Sequence, residues 1–402
     1  MNQSNQKTKA NKTNNILVIY YFYKSKISGV ADVIEAYTQE LLKQQPNCHI
    51  TVLCQNVNNE PEQETLNGID IVRFQSSSLF GGRIPLPSLD LWRKANSIIK
   101  SKNITQIHNH TRFSTASVIG LLAGKTSGVE VIHWEHLSNY ILGEKWLLQT
   151  ICWLWDQTIS RLLFNQSDKI IAVSNSTKNF ICDNLGADRD KTIVIENGCH
   201  FKPKSETIQE TFEHKNQPKR QFQLFYGARL VPLKNPILTL QSILELSKLR
   251  TDFKLTMAGN GKLEQEVQTF IADNNLSQFV DYVGVYNASQ MSNQFANNDL
   301  FLNLSYLEGL PGGVLEAMFN NNLCLVSDVG GNNDLITVPE LLVDLKKATP
   351  SSIANAIDYI LNNLESVSTK AQIDKDRAVQ VNNWQYAVKG LVKEIIVSEV
   401  MQ

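Results

Sequence analysis

Two hydrophobic rhythms alternate along the chain. Short apolar runs predict strands in the first half: ILVIYYF (16–22), HITVLC (49–54), IDIVRF (69–74), ITQIHN (104–109), VEVIHW (129–134), KIIAVS (169–174) and TIVIEN (192–197). Longer amphipathic stretches between them, such as Val30–Gln44, Asp90–Lys100 and Ser176–Leu185, predict helices. The second half repeats the theme with FQLFYG (222–227), FKLTMAG (253–259), FVDYVG (279–284), DLFLNLS (299–305) and LCLVSD (323–328). Strands that alternate with helices imply βαβ units and parallel sheets, so the expected class is α/β.

The rhythm breaks once, at KPKSETIQETFEHKNQPKRQ (202–221), which is polar, charged and without an apolar period. It reads as an interdomain linker or surface loop. Two Rossmann-like, doubly wound domains follow, over 15–203 and 222–380, with 204–221 joining them and 381–402 as a terminal helix. Ligands of such sheets bind at the carboxyl ends of the strands, so the cleft between the domains is the expected site. The length of 402 residues agrees with two domains of ordinary size.

Charge and cysteine usage narrow the class. There are 38 basic and 39 acidic residues, a formal charge of −1, and no nucleic-acid footprint. Six cysteines are scattered without a C-x-x-C pair, which fits free thiols in a reducing compartment. Residues 1–14 are polar and of low complexity and are expected to form a disordered tail. They lack the apolar core of a signal peptide, and no segment reaches about 18 uninterrupted apolar residues. A cytoplasmic protein is expected.

The candidate chemistry lies in YLEGLPGGVLEAM (306–318). Proline suits a first helical turn, and Gly312 and Gly313 let a ligand approach the backbone. Exposed N–H groups and the helix dipole make that end an anion site fit for a diphosphate. Glu308 and Glu316 would repel a diphosphate. They suit neutral hydroxyls on either side of it, one a sugar and the other a ribose. The same spacing equally fits Glu308 as a helix cap and Glu316 as a solvated surface residue.

Taken with CLVSDVGGNNDLI, the segment EGLPGGVLEAM resembles the signature of the family-4 retaining glycosyltransferases, which have the two-domain GT-B fold. FYGARLVPLKNPILTLQSI, LTMAGNGKLEQEV, VDYVGV, KIIAVSNSTKNFI, VIENGCHF and ISGVADVIEAYTQELL resemble further segments of the family in the same order. NNWQYAVKGLVKEII resembles its helix that crosses back to the first domain.

The resemblance implies roles. Arg229 and Lys234 would clamp the donor diphosphate, Arg by a bidentate fork and Lys as a point charge. Gly29 would let the first loop pass close to the phosphates. Backbone near Gly284 and Val285 would hold the base, and the start of the helix (Gly312, Gly313, Val314, Leu315) the phosphates. Glu316 takes the ribose, Glu308 the donor sugar, and His136 the sugar near its anomeric centre. Glu135 either assists or pairs with a cation. Three positions depart from the pattern: Ser28 beside Gly29, His200 where Asp is usual, and Asp334 where Glu is usual.

No metal or other cofactor is expected. His108, His110, His133 and His136 lack an H-E-x-x-H pattern and read as packed strand-end histidines. Asp188–Asp190 and Asp374–Asp376 lie in charged contexts that do not suit a metal. The stretch EKWLLQTICWLWDQTISRLLFNQ (144–166) is apolar on most sides of a helix. Such helices are ordinarily buried, and burial is the expectation, with contact to a membrane surface or lipid acceptor as the alternative.

The resemblance therefore implies a metal-independent retaining transferase, moving a hexose from a nucleotide-diphosphate sugar to a glycan or lipid-linked acceptor in bacterial cell-surface polysaccharide assembly. Peripheral contact with the inner membrane is the accompanying expectation. The alternatives are a GT-B sugar-nucleotide epimerase and a catalytically silent nucleotide-sugar-binding subunit.

Overall fold

The computed structural model describes residues 14–23, 28–57, 59–76, 78–79, 84–85, 88–141, 146–199 and 221–396. The tail, most of the 202–221 linker and His200 lie outside them. Contacts divide the chain into two compact units. One takes residues up to Trp134, Leu162–Ile170 and the chain from Val388, and the other takes Glu135–Arg161 and Ile171–Ala387.

The first sheet has eight strands: β1 (Asn15–Ile19), β2 (His49–Gln55), β3 (Gln63–Leu66), β4 (Ile69–Phe74), β7 (Gln106–His110), β8 (Glu130–Glu135), β9 (Lys169–Ala172) and β10 (Thr192–Val194). Their order is β10-β9-β8-β7-β1-β2-β4-β3. A small hairpin, β5 (Ser78–Leu79) with β6 (Ile84–Pro85), stands apart from it. β1 pairs in parallel with β2 and β7, β2 with β4, and β7 with β8. Beyond their first residues β1 and β2 are buried because helices cover both faces of a parallel sheet, which is why they read as apolar runs, whereas β7, QIHNH, is equally buried with mostly polar side chains. β3 runs antiparallel to β4 and is mostly exposed, so its polar sequence QETL carried no strand signal.

The helices of this half are α1 (Gly29–Gln44), α2 (Leu89–Ser101), α3 (Thr115–Ser127), α4 (Trp146–Trp155), α5 (Arg161–Gln166) and α6 (Asn175–Leu185). In the first unit the strand-end histidines become core. Trp134 stacks on Tyr37 at 4.8 Å and on His110 at 5.5 Å between ring centres. The Trp134 indole N–H donates to His108 Nδ1 at 3.3 Å. The terminal helix returns to this unit, where Gln106 donates to the Ile395 carbonyl at 3.4 Å and Lys169 to that of Glu394 at 2.8 Å.

The second sheet has six strands: β11 (Phe222–Gly227), β12 (Phe253–Ala258), β13 (Val280–Gly284), β14 (Leu300–Asn303), β15 (Leu323–Ser327) and β16 (Leu342–Val343). Their order is β13-β12-β11-β14-β15-β16 and every pairing is parallel, the doubly wound Rossmann arrangement. Helices α7 (Pro236–Leu249), α8 (Glu264–Asp273), α9 (Ala288–Asn297) and α10 (Gly312–Phe319) link these strands. Buried Leu, Ile, Phe and Val from both faces fill the core, each contributing about 1.5–3 kcal/mol.

One expectation fails. The apolar 144–166 stretch is not a buried helix: α4 has no buried residue. A π-helical turn, Asp156–Ser160, breaks the segment, and burial resumes only with Asp156, Ser160 and, in α5, Leu163 and Phe164. Periodicity reports apolarity on several sides but not whether the fold has room to cover them.

Candidate active site

In the second sheet the strand order reverses between β11 and β14. At such a switch point the loops leaving the two strands diverge and open a crevice at their carboxyl ends. The loop after β11 carries Arg229 and Lys234, and the loop after β14 carries Glu308.

Lys234 ends a 3-10 turn, Pro232–Lys234, closed by its N–H to the Val231 carbonyl at 2.9 Å. Asn235 follows in the left-handed region at φ 56 and starts α7. The Tyr226 hydroxyl donates to the Lys234 carbonyl at 3.2 Å, and the Tyr306 N–H to that of Leu233 at 2.9 Å. Held from both strands, Lys234 Nζ lies 2.6 Å from Glu308 Oε1. The Glu308 side chain is only 7% exposed and that of Lys234 21%. Burial pushes the Tyr226 hydroxyl far up, and the Glu308 charge adds to it.

Arg229 is exposed and has no ion-pair partner among the described residues. Its backbone is held by the Gly259-Asn260-Gly261 turn after β12. Leu230 N–H donates to Asn260 O at 2.8 Å, and Ala228 N–H to Ala258 O at 3.1 Å. Gly259 has φ +135, and a Cβ there would sit on the Ala228 carbonyl oxygen, so only glycine fits. The Gly259 N–H donates to Gly284 O at 2.7 Å. The edge with Gly284 and exposed Val285 is thus tied through one turn to the segment that presents Arg229.

α10 begins at Gly312, with Pro311 as its N-cap rather than within its first turn. Gly312 is exposed, while the Val314 and Leu315 side chains are buried, so these residues offer a ligand their backbone N–H groups only. Glu316 lies in the second turn and is partly exposed.

The segment after β8 packs onto the Glu308 loop. Glu135 Oε1 accepts the N–H groups of His136 at 3.1 Å and Leu137 at 2.9 Å, so this buried carboxylate shapes the turn. The His136 carbonyl lies where a Cβ of Gly309 would stand, which makes Gly309 the residue that lets the two backbones touch. Ser138 Oγ donates to the Glu308 carbonyl. His136, Arg229, Lys234, Glu308, Gly284 and the start of α10 therefore share one unit. Gly29 belongs to the other, at the first position of α1, where a Cβ would meet nothing within 4 Å.

Ser138 and Tyr226 hold the site through main-chain oxygens and carried no sequence signal, Ser138 acting on a carbonyl 170 residues away and Tyr226 reading only as part of an apolar strand. Asp334 accepts the Ser176 N–H at 3.0 Å, placing its charge at the start of α6. Asp188 accepts the Asp190 N–H at 2.9 Å in a surface turn. Buried Asp374 accepts from Thr337 N–H at 2.8 Å and Oγ1 at 2.7 Å. Among the described residues no three His, Cys, Asp or Glu side chains converge as metal ligands would.

Residues 27–201 match the family model described as Glycosyltransferase Family 4, and residues 207–375 that described as Glycosyl transferases group 1. An uncharacterised glycosyltransferase of Methanocaldococcus jannaschii is 22% identical over 94% of this chain and 97% of its own. The Escherichia coli UDP-Gal:alpha-D-GlcNAc-diphosphoundecaprenol alpha-1,3-galactosyltransferase is 24% identical over 60% of this chain and 62% of its own. In structure, Anabaena HepE in complex with UDP-glucose superposes with a TM-score of 0.70 at 17% identity, over 96% of this chain and 99% of that one. Matched by both halves of the family and carrying two Rossmann-like sheets, the chain belongs to glycosyltransferase family 4 and is a glycosyltransferase of the GT-B fold.

Proposed function

We propose that this enzyme is a retaining, metal-independent hexosyltransferase. It moves a hexose from a nucleoside-diphosphate sugar to a hydroxyl of a lipid-linked glycan in bacterial cell-surface polysaccharide assembly, at the cytoplasmic face of the inner membrane. The observation that carries the reading is the meeting of Lys234 and Glu308 at the switch point, with Arg229 on the same loop as Lys234. A UDP-sugar donor and a lipid-linked acceptor are named for the Escherichia coli relative, and UDP-glucose for the Anabaena structure.

In this reading Arg229, Lys234 and the N–H groups opening α10 take the donor diphosphate and neutralise the charge that grows on it as the sugar leaves. Glu308 accepts from the donor-sugar hydroxyls, Glu316 from the ribose, and the backbone at Gly284 and Val285 meets the base. His136 hydrogen-bonds the sugar near its anomeric carbon, and Gly29 lets the first loop approach the phosphates. The C1–O bond to diphosphate breaks and the acceptor oxygen bonds C1 on the same face. The leaving phosphate oxygen takes the acceptor proton. Two cations supply the neutralisation a divalent metal would otherwise provide.

Thermal stabilisation by UDP-, GDP-, ADP- and dTDP-sugars, beside Arg229→Ala, tests the donor site. A selective shift lost in the variant is expected. Transfer to an undecaprenyl-diphosphate-linked glycan should persist in EDTA and keep the donor's anomeric configuration by NMR. Inversion, or abolition by EDTA, would overturn the mechanism. Binding without turnover would favour a silent subunit.

A further inference from the structure

We infer that Ser176, in the first turn of α6, is a positioning residue for Glu308 and thereby for recognition of the donor sugar. This role rests on the proposed contact between Glu308 and the sugar hydroxyls, and Ser176 acts on it through the main chain.

The link runs through the Gly330–Gly331 turn that follows β15. The Glu308 carbonyl accepts the Gly331 N–H at 3.3 Å as well as the Ser138 hydroxyl. The two segments touch without slack. A Cβ on Gly330 would stand on the Glu308 carbonyl oxygen, and one on Gly331 would stand on that of Gly309. Close-packed interiors transmit displacement rather than absorb it. The Glu308 main chain therefore goes where the turn goes.

The turn is gripped from two sides. From its own strand, the buried Asn332 amide donates to the Ser327 carbonyl at 2.8 Å. From α6, the Ser176 hydroxyl donates to the Gly330 carbonyl at 2.9 Å, and the Ser176 N–H donates to Asp334 Oδ2 at 3.0 Å. Asp334 lies in the helical turn Asn332–Leu335, so one serine holds this segment at two points. All of these residues belong to one compact unit.

Helix α6 does not need the Ser176 hydroxyl. Its N-cap is Ser174, whose Oγ accepts the Thr177 N–H at 3.0 Å. The Ser176 N–H is one of the first-turn donors that lack a partner within a helix, and Asp334 supplies one. Ser176 is half-buried rather than core, and alanine is the better helix former. The hydroxyl serves the turn, not the helix.

Placement matters because Glu308 must meet sugar hydroxyls at hydrogen-bond distance. A shift of about 1 Å, even one caused from afar, can cost about 100-fold in rate. The diphosphate contacts are assigned elsewhere, to Arg229, Lys234 and the N–H groups opening α10. Loss of the Ser176 hydroxyl should therefore weaken recognition of the sugar and spare that of the nucleotide.

The test compares the natural chain with Ser176→Ala and Ser176→Thr by hydrogen exchange and by calorimetry. The Gly331 amide should exchange about tenfold faster in Ser176→Ala, the effect of one lost hydrogen bond, and near the natural rate in Ser176→Thr, which keeps the hydroxyl. For calorimetry the probes are UDP-, GDP-, ADP- and dTDP-glucose, each beside its free nucleotide. Ser176→Ala should lose about tenfold of the preference for the sugar-bearing form, with free-nucleotide affinity unchanged within about twofold. Glu308→Gln should lose the same preference, and adding Ser176→Ala to it should lose no more. Unchanged exchange at Gly331 would overturn the positioning role. An equal loss of affinity for nucleotide and nucleotide sugar would overturn it too, since that is the effect of a serine that only supports the fold. The exchange measurement needs no donor, so it decides the hold on the turn even where the donor reading fails.

Discussion

Lys234 Nζ and Glu308 Oε1 meet at 2.6 Å, joining the loops that leave the two strands where the second sheet reverses its order. The ion pair couples the residue proposed for the diphosphate to the residue proposed for the sugar. Lys234→Ala should leave a largely buried carboxylate without its cation, costing about 1–3 kcal/mol of stability. Turnover should fall about 100- to 1000-fold through loss of charge stabilisation. Glu308→Gln should keep more of the stability while losing transfer. The double variant Lys234→Ala with Glu308→Gln should be less unstable than the sum of the singles, which thermal unfolding of the natural protein, the two singles and the double would read.

Gly259 works on Arg229 at one remove. Gly259→Ala places a Cβ on the Ala228 carbonyl at φ +135, a strain of about 1–3 kcal/mol that pushes the Arg229 segment outward. Donor affinity by calorimetry should drop as it does in Arg229→Ala, while the protein stays folded. Unchanged affinity would mean that the turn does not set the position of Arg229.

Ser138 holds the Glu308 carbonyl through its hydroxyl. Ser138→Ala should cost about 1 kcal/mol. Because it frees the loop without removing a group proposed to touch the donor, kcat should fall more than KM rises. Ser138→Thr should restore activity in part, whereas a KM effect alone would place Ser138 in donor binding.

His108 makes the fold sensitive to acid. Burial lowers its pKa from the usual 6.5 to about 3. Below about pH 6.5 the unfolded chain takes up a proton that the folded core refuses. The contribution of neutral His108 is therefore complete above pH 6.5 and is lost as pH falls toward 3, at about 1.4 kcal/mol per pH unit. His108→Phe keeps a ring beside Tyr37 but cannot titrate. Urea titrations at pH 7, 6 and 5 should show a shallower acid loss in the variant, although Trp134 then lacks its acceptor at every pH.

The order of strands and helices was legible because each central strand is buried on both sides and each covering helix on one. Burial writes itself into the sequence as runs and periods. Arg229, Lys234, Glu308 and His136 were legible only through a family resemblance, since a spacing such as that of Glu308 and Glu316 fits a surface helix equally well. The exposed strand β3 and the polar supports Ser138 and Tyr226 left no pattern.

The sequence by itself determined two α/β halves and the positions of most of their strands. Each of these is a local demand of periodicity. Only the tertiary structure decided that Lys234 pairs with Glu308, that Ser138 and the His136 carbonyl lie against the Glu308 loop, and that the most apolar helix stays exposed. The first two join residues 74 and 170 positions apart, and the third depends on what the rest of the chain leaves uncovered. None of these is a property of any one segment.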